Sequence, residues 1–333
     1  MKRLVILVLV VLLIGTFSLF AEGQKESGAA EEDMITIGLS METLESQFWS
    51  ANYDAMVDYV DTLPNVELIT VIADGDASRQ NQQIETLISR GVDAIICAPK
   101  DNKAIVAAIK KANEAGIPFI TNNRAAAEGA EVALDVSSDS FAMAQRLGEA
   151  CVEYAKSTGE KQKALVFIGD LKDINAVYRD KGFMQIAAMN TDWIEVVNHV
   201  PTEWKPELAQ AGTVNSLQAD PDIGIIFTPS DFLLPAIVAG LQQTGNWHPY
   251  DHPDHIYIAT LDGAKDALFW IDEGYVDIVS VQQAYETGRK CVDGAIQLSQ
   301  GQELLDSTLQ LPGFEVSRDN YEEMAPKAWG FEE

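Results

Sequence analysis

Residues 95–101 read IICAPKD and residues 225–231 read IIFTPSD, so the pattern I-I-x-x-P-x-D occurs twice in this chain of 333 residues, at an offset of 130 (225 − 95). A similar offset relates ITNN at 120–123 to ATLD at 259–262. Matches that recur in the same order indicate an internal duplication. The chain is therefore expected to consist of two similar halves.

Around both copies, apolar strand-like runs alternate with helical patterns from residue 34 almost to the end of the chain. Strands that are apolar throughout and separated by helices are typical of parallel sheets buried on both faces. We therefore predict an α/β fold of two similar doubly wound parallel-sheet lobes, with a ligand in the cleft between them. The predicted strands are 35–39, 66–72, 94–98, 118–121, 132–136, 164–168, 194–200, 223–228, 256–261 and 276–281.

Ligands gather at the carboxyl ends of parallel strands, so the residues that follow each predicted strand are the candidates for a site. These positions carry flat aromatic side chains together with short or planar hydrogen-bonding groups. A sugar needs this mixture, because its C–H faces lie against aromatic rings and its vicinal hydroxyls pair with carboxylate, amide or guanidinium groups. The aromatic candidates are Phe48, Trp49, Tyr178 and Trp204, and the polar ones are Asn123, Arg124, Asn175, Ser230, Asp262 and Gln282.

Purely structural roles remain open for some of these strand-end residues. Phe48 and Trp49 are also compatible with an ordinary core. Asp101 and Asp231 are expected to cap the helices that follow their strands, because a short carboxylate there accepts hydrogen bonds from the first helical N–H groups. Neither aspartate is included in the predicted ligand site.

The chain carries 23 Lys and Arg residues against 51 Asp and Glu residues, a formal charge of −28. A surface this acidic repels nucleic-acid phosphates and anionic lipid headgroups, so neither is expected as a partner. The same repulsion favours a monomer. With 47% hydrophobic residues the chain can fill a core, and its length is typical of about two domains.

The N-terminal segment has the pattern of a secretory signal peptide, with a basic start at Lys2 and Arg3, an apolar run from Leu4 to Ile14, and small residues further on. We expect residues 1–21 to be cleaved, residues 22–33 to form a flexible tether, and the mature protein to be exported. Cleavage leaves a formal charge of −30 (21 − 51). An uncleaved anchor is the alternative, although the apolar run is shorter than most membrane spans.

The sequence has no dinucleotide-binding, phosphate-loop or serine-hydrolase motif, so neither an enzyme nor a cofactor is expected. Residues 248–255, HPYDHPDH, hold three of the four histidines, and such groups can ligate zinc. Because this loop precedes a predicted strand, away from the cleft, and lacks regular ligand spacing, a solvated loop without metal is favoured. Cys97, Cys151 and Cys291 match no metal or redox spacing and are expected to be buried free thiols.

Several segments together point to a known family. They are Ser40 with Phe48-Trp49, QQIETLISRGVDAIICA at 82–98, AGIP at 115–118 before Asn123-Arg124, RDKGF at 179–183, Ser230-Asp231, LDG at 261–263, and Gln282. Through these segments the chain resembles the periplasmic sugar-binding proteins of the ribose- and galactose-binding type, which are type I substrate-binding components of ABC importers. The resemblance extends over nearly the whole mature chain.

The resemblance implies a role for each matching residue. Phe48 and Trp49 would stack on the sugar, while Asn123 and Arg124 would hold its hydroxyls from the first lobe. The second lobe and the hinge would contribute Trp204, Ser230, Asp262 and Gln282, and the predicted ligand site also includes Arg179 from the RDKGF match and Asn175 from its strand-end position. The family plan also implies lobes of residues 34–138 plus 283–310 and 139–282 plus 311–333, joined by a three-crossing hinge that closes over the ligand.

The chain departs from the family pattern at three places. Ser46-Gln47 stand where the family usually has Asn-Pro, Ser230 stands where it has Asn, and Val177 stands where ribose binders commonly have Arg. Fewer long donors on the second lobe favour a different pentose, a hexose or a polyol over ribose itself.

Four functions follow from these features, in decreasing order of support. The first is an exported protein that captures a small neutral sugar or polyol by hinge closure and delivers it to an ABC permease. The second is a sensor that reports ligand occupancy to a chemoreceptor or a membrane kinase. A sugar-responsive transcription regulator would need a DNA-binding segment and a basic surface, which this sequence lacks. An enzyme at the histidine loop comes last.

Overall fold

The computed structural model describes residues 34–331, which form two six-stranded sheets. The strands of the first sheet are β1 (Ile35–Met41), β2 (Val66–Ile72), β3 (Ala94–Cys97), β4 (Phe119–Asn123), β5 (Leu134–Ser138) and β11 (Thr308–Leu311). Their order is β11-β5-β4-β3-β1-β2, and all neighbours run parallel.

The second sheet repeats this arrangement. Its strands are β6 (Gln162–Ile168), β7 (Ile194–Pro201), β8 (Ile223–Phe227), β9 (Tyr257–Asp262), β10 (Ile278–Val281) and β12 (Phe314–Ser317), in the order β12-β10-β9-β8-β6-β7. Only β12 in this sheet runs antiparallel to its neighbour. All ten predicted strands are confirmed, together with the α/β class and the doubly wound parallel sheets.

Helices cover both faces of each sheet. They are α1 (Gln47–Asp61), α2 (Ala77–Arg90), α3 (Val106–Glu114), α4 (Ser140–Thr158), α5 (Ile174–Met189), α6 (Pro206–Ala219), α7 (Leu234–Thr244), α8 (Lys265–Asp272), α9 (Ala284–Ser299) and α10 (Tyr321–Met324). The first sheet packs against α1 and α9 on one face and α2 and α3 on the other. The second sheet packs against α4 and α5 on one face and α6 to α8 on the other.

The duplicated sequence pattern occupies equivalent places in the two sheets. IICAPKD includes the end of β3, and IIFTPSD includes the end of β8, the fourth strand of each sheet order. The second pair of matches falls on β4 and β9, the third strand of each order. The internal duplication predicted from the sequence is therefore confirmed.

The chain passes between the two sheets three times, after β5, after β10 and after β11. We call the first sheet with α1 to α3 and α9 the first lobe, and the second sheet with α4 to α8 and α10 the second lobe. Movement at the three crossings, and the lobe boundaries that the resemblance implies, remain predictions.

Capping side chains determine where two helices next to the cleft begin. Ser46 accepts a hydrogen bond from the backbone N–H of Trp49, so α1 starts directly after β1 and carries its aromatic pair in the first turn. Asp173 accepts one from Asn175 N–H and caps α5 in the same way. Both caps lie at the carboxyl ends of strands.

All three cysteines are buried and free, as predicted. Burial raises the pKa of each thiol, which makes them poor nucleophiles. Among residues 34–331, no helix combines the length and the apolar character that crossing a bilayer requires.

Candidate functional site

A cavity of about 140 Å³ lies where the carboxyl ends of the two sheets face each other. This volume is close to that of the ~150 Å³ cavity known to accept one benzene ring, so it suits one six-membered ring rather than two. We call it the cleft cavity. Its lining residues are Glu42, Thr43, Glu45, Ser46, Phe48, Trp49, Asp74, Gly75, Lys100, Asn123, Arg124, Asp173, Asn175, Arg179, Glu203, Trp204, Ser230, Phe232, Asp262 and Gln282.

The structure brings all ten residues of the predicted ligand site together in this lining, drawn from both lobes. Tyr178, which was grouped with the aromatic candidates, does not line the cleft cavity. It lies on α5, is 43% exposed, and faces a separate groove that Ala126 and Phe141 also line. Tyr178 is therefore not part of the wall of the cleft cavity.

Phe48 and Trp49 form the aromatic wall of the first lobe. Their rings meet edge to face with centroids 5.1 Å apart, and both side chains are about 95% buried (5% and 4% exposed). They also belong to the apolar core between the first sheet and α1. The core interpretation made from the sequence is therefore confirmed, and the pair also lines the cleft cavity, while its role as a ligand wall stays a prediction.

Trp204 supplies the aromatic wall of the second lobe, in the loop after β7. Its indole lies directly over Gly169, where a Cβ atom would come within 2.2 Å of the ring. Any larger residue at position 169 would displace the indole, since carbon atoms pack at about 3.5–4.0 Å. The indole Nε1 donates a hydrogen bond of 3.1 Å to Asp173 Oδ2, which fixes the orientation of the ring.

Arg124 lies between two carboxylates from different lobes. Its guanidinium pairs with Glu42 of the first lobe and Asp173 of the second, each at 2.8 Å, and stacks 5.0 Å from the centre of the Trp49 ring. Burial alone lowers the pKa of Arg124, but the charges of Asp173 and Glu42 outweigh it and raise the pKa. Lys100 adds a second interlobe pair, 3.2 Å from Asp170. These pairs join the lobes on one side of the cleft cavity.

Asp262 forms the centre of a second buried network. Arg179 lies 3.3 Å away and donates to the carbonyl oxygen of Pro229 at 2.7 Å, while Ser230 and Gln282 each donate a hydrogen bond to the Asp262 carboxylate. Burial raises the pKa of Asp262, and the positive charge of Arg179 opposes this effect. The carboxylate is therefore held in one orientation by three side chains.

Asp231 does not cap a helix, which corrects the expectation from the sequence. Its carboxylate accepts hydrogen bonds from the Thr260 hydroxyl and from the backbone N–H groups of Gly263 and Ala264. Burial raises the pKa of Asp231 well above its usual range, and the charge of Asp262 adds to the effect. Asp231 therefore holds the loop that carries Asp262. Asp101 does not cap α3 either: it accepts from the backbone N–H groups of Lys103 and Ala104 in the turn before the helix, whose N-cap residue is Ile105.

Unusual backbone conformations concentrate at the cleft cavity. Within residues 34–331, five residues other than glycine have a positive φ between 49° and 120°, and all five line the cavity. They are Asp74, Asn123, Glu203, Trp204 and Asp262. Such conformations persist only where surrounding contacts impose them, and they cluster at functional sites. The backbone thus marks the same site as the side chains.

The buried charges of the lining balance one another. Three carboxylates, those of Glu42, Asp173 and Asp262, face Arg124, Arg179 and Lys100, whose side chains are all at least 80% buried. Two buried acceptors in the lining, Asn123 Oδ1 and Gln282 Oε1, have no hydrogen-bond partner in the protein. A buried acceptor costs about 1–3 kcal/mol when unpaired. The arrangement can therefore accept hydrogen bonds from uncharged donors and hold an apolar face between aromatic rings.

A family model described as a periplasmic binding protein domain matches residues 37–303. The chain belongs to the periplasmic binding protein family. Its predicted resemblance is thereby confirmed, as is the prediction that it is not an enzyme, because members of this family are ligand carriers.

The loop at 248–255 lies at the amino end of β9, on the far side of the second sheet from the cleft cavity.

Curated relatives of this periplasmic binding protein match it over most of their length. It is 28% identical to a protein of Rhizobium meliloti named as rhizopine-binding, over 88% of this chain and 93% of the relative. It is 27% identical to a ribose import binding protein of Bacillus subtilis, over 86% and 89%. A solved ABC transporter solute-binding protein of Bacillus halodurans with bound myo-inositol superposes with a TM-score of 0.81, at 26% identity, covering 90% of this chain and 99% of that one.

The histidine loop brings three possible ligands near one another. Ligand atoms of His248, His252 and Asp254 lie within 4.8 Å, and the two imidazole rings stack with centroids 3.9 Å apart. The backbone N–H of Asp254 already donates to His252 Nδ1. The third histidine, His255, pairs instead with buried Asp277 at 3.0 Å. The prediction of a solvated loop without metal stays a prediction.

Several residues of this periplasmic binding protein that contact the site were not singled out from the sequence, among them Glu42, Asp173 and Trp329. Glu42 and Asp173 both follow strands, but an acidic residue there is indistinguishable in sequence from a helix cap, which Asp173 also is. Trp329 packs against Phe48, with ring centroids 6.1 Å apart, and its Nε1 donates to the carbonyl oxygen of Asp262 at 2.9 Å. No sequence pattern relates a position so near the C-terminus to strand ends.

Proposed function

We propose that this periplasmic binding protein is exported by a cleaved signal peptide, captures one neutral monosaccharide or polyol in the cleft cavity, and delivers it to the permease of an ABC importer. The name of one relative, ribose import binding, and the myo-inositol bound by the Bacillus halodurans protein support this class of ligand. Its formal charge of −28 supports a monomer.

The balance of charge in the lining is the observation that carries the proposal. Because the buried charges of the lining pair with one another, the charge of an anionic or cationic ligand would itself be buried without compensation, at a cost of several kcal/mol. An uncharged ligand with hydroxyl groups leaves every ion pair intact and supplies donors to Asn123 Oδ1 and Gln282 Oε1. The volume of about 140 Å³ favours a single ring.

Each lining group has a role in this proposal. The ring faces of Phe48, Trp49 and Trp204 pack against the C–H surfaces of the ligand. Asn123 and Gln282 accept from its hydroxyl groups. The remaining polar residues of the predicted set donate to or accept from other hydroxyls, and an isomer that leaves one of them unpaired binds less tightly. These residues are Arg124, Asn175, Arg179, Ser230 and Asp262.

Entry and release require the lobes to separate. Contacts that join the two lobes include Arg124 with Asp173, Lys100 with Asp170, and Asn175 Nδ2 with the carbonyl oxygen of Asn123 at 3.0 Å. The ligand would bind to an open form, and closure would then complete these contacts around it. Closure must be only moderately favourable, because the permease has to reopen the lobes.

A thermal-shift screen of the mature protein against pentoses, hexoses, polyols and cyclitols tests the proposal. A ligand at 100 times its Kd adds about 2.7 kcal/mol to the unfolding free energy. Trp204→Ala should abolish this stabilisation, because the aromatic wall of the second lobe is lost. Tyr178→Ala is the matched control, since it removes an aromatic side chain of the same lobe outside the cleft cavity. If no carbohydrate in the screen stabilises the wild type, the sugar proposal is wrong. If the ligand stabilises Trp204→Ala as much as the wild type, the cleft cavity is not the site.

Asp262→Ala is a less suitable variant for this purpose. It would leave the buried Arg179 guanidinium without its carboxylate, and breaking a buried pair in this way costs about 3–5 kcal/mol. Loss of binding would then be hard to separate from loss of folding.

A further inference from the structure

Trp329 lies between the lobes and contacts two residues of the predicted ligand site, although it does not line the cleft cavity itself. It follows a short turn at Ala325–Lys327 in the C-terminal segment, and its side chain packs against the apolar cores of both lobes. The indole ring meets the edge of Phe48 with an interplanar angle of 79°, and its Nε1 donates to the carbonyl oxygen of Asp262. Phe48 and Asp262 line the cleft cavity, whereas Trp329 does not.

The main chain around Trp329 is tied to both lobes as well. Its carbonyl oxygen accepts a hydrogen bond of 3.2 Å from the Tyr285 hydroxyl, on α9 of the first lobe. Gly330 lies so close to the loop after β9 that a Cβ atom there would come within 2.4 Å of the Gly263 carbonyl oxygen and 2.5 Å of the Lys265 backbone nitrogen. The tail therefore packs closely where it crosses between the lobes.

We propose that Trp329 is a positioning residue of the ligand site, which holds Phe48 and Asp262 at the separation that the closed cavity requires. This inference rests on the proposed function. Asp262 has a φ of 120°, and its carbonyl oxygen accepts from both Trp329 Nε1 and the backbone N–H of Gln282. A variant without the indole N–H loses one of the two hydrogen bonds to the Asp262 carbonyl oxygen. A variant without the ring also loses the packing contact with Phe48.

Because Trp329 contacts a residue of each lobe, its contacts contribute to closure as well as to the packing of the lobe cores. Separation of the lobes would break the Phe48 contact or the Asp262 hydrogen bond, since one indole cannot follow both. Trp329 thus favours the closed form, and a ligand that needs closure binds more tightly when it is present.

Two substitutions separate the parts played by the ring and by the donor. Trp329→Phe keeps an aromatic ring against Phe48 and removes the N–H group. Loss of one neutral hydrogen bond corresponds to an equilibrium changed about 2- to 12-fold. We expect ligand affinity, measured by calorimetry with the carbohydrate identified in the screen, to fall by that factor in Trp329→Phe and further in Trp329→Ala. The ligand dissociation rate should rise by a similar factor.

Trp247→Phe is the matched control, because Trp247 is a partly buried tryptophan of the second-lobe core that packs on Trp270 and Tyr275, away from the cleft cavity. Unchanged affinity in Trp329→Phe and Trp329→Ala, or an equal loss in Trp247→Phe, would overturn the inference. Failure of the wild type to bind any carbohydrate would instead count against the proposed function.

A measurement without ligand tests the inference independently of the proposed function. In small-angle scattering, Trp329→Ala should give a larger radius of gyration than the wild type, because the open form gains population. Gly330→Ala should also increase the radius of gyration. The added Cβ displaces the tail that carries Trp329, although the tryptophan itself is not substituted. Radii equal to that of the wild type in both variants would contradict a role for Trp329 in closure.

Discussion

Asp173→Asn is the substitution for which the structure allows the most direct reasoning about magnitude. Asp173 Oδ2 accepts from Arg124 of the other lobe at 2.8 Å and from Trp204 Nε1 of its own lobe at 3.1 Å, while Oδ1 accepts from the Asn175 backbone N–H. Asparagine has one acceptor oxygen in place of two and turns an N–H₂ group toward one of these donors. The contact with Arg124 is the one that joins the two lobes.

The expected loss follows from the burial of this pair. The Arg124 and Asp173 side chains are only 8% and 3% exposed, whereas in an open form both are solvated. A hydrogen bond to a charged group contributes about 1.5–3 kcal/mol, which is roughly 12- to 160-fold in Kd at 25 °C. Because the bond crosses between lobes, the loss should affect ligand affinity more than the melting temperature of the ligand-free protein.

Isothermal calorimetry with the carbohydrate identified in the screen measures this loss. Asp170→Asn is the control, since Asp170 also pairs across the cleft, with Lys100, but both side chains are more exposed (16% and 18%). Lys100 keeps a second carboxylate, that of Glu42 at 3.8 Å, when Asp170 loses its charge, so the affinity of Asp170→Asn should fall less than that of Asp173→Asn. A Kd of Asp173→Asn within twofold of the wild type, or equal losses in the two variants, would refute this account of closure.

Two further expectations concern stability rather than binding. Burial raises the pKa of Asp135, and hydrogen bonds from two hydroxyl groups offset this rise only in part. The ionised carboxylate therefore lowers the unfolding free energy at pH values above the pKa that Asp135 has in the unfolded chain. Asp135→Asn should raise the unfolding free energy at pH 7 by about 1.4 kcal/mol per pKa unit of that elevation, and a urea midpoint below that of the wild type would contradict this. Burial lowers the pKa of His255, but the hydrogen bond and charge of Asp277 outweigh it and raise the pKa. Protonated His255 therefore contributes fully to the unfolding free energy below about pH 6.5, and this contribution is lost as the pH rises through the folded pKa. Denaturation curves should show this loss of stability in the wild type and in His199→Gln but not in His255→Gln.

Ten of the twelve strands could be predicted, because each of them contains a run made mostly of apolar residues. The two that were missed, β11 and β12, have four residues each and expose most of theirs to solvent in full or in part. An edge strand of this kind has no apolar pattern of its own. Its position depends on the neighbouring strand that it pairs with, which only the folded chain supplies.

The site could be predicted to a similar extent and for a related reason. Parallel strands place their carboxyl ends at one edge, so a rule about sequence position brought the predicted residues together. The same rule could not tell how their side chains pair. Asp231 and Asp173 both precede helical turns, yet Asp173 caps its helix and also binds Arg124, while Asp231 holds a loop on another strand.

By itself, the sequence determined that this protein has two duplicated α/β lobes and a polar and aromatic set at their strand ends, because hydrophobic periodicity and strand direction act locally or through simple geometry. Tertiary structure alone decided which carboxylate faces which guanidinium, that Gly169 makes room for Trp204, and that Trp329 reaches Phe48 and Asp262. Such contacts join residues far apart in the chain. Their energies depend on burial and on distances of a few ångströms, which arise only when both lobes are packed together.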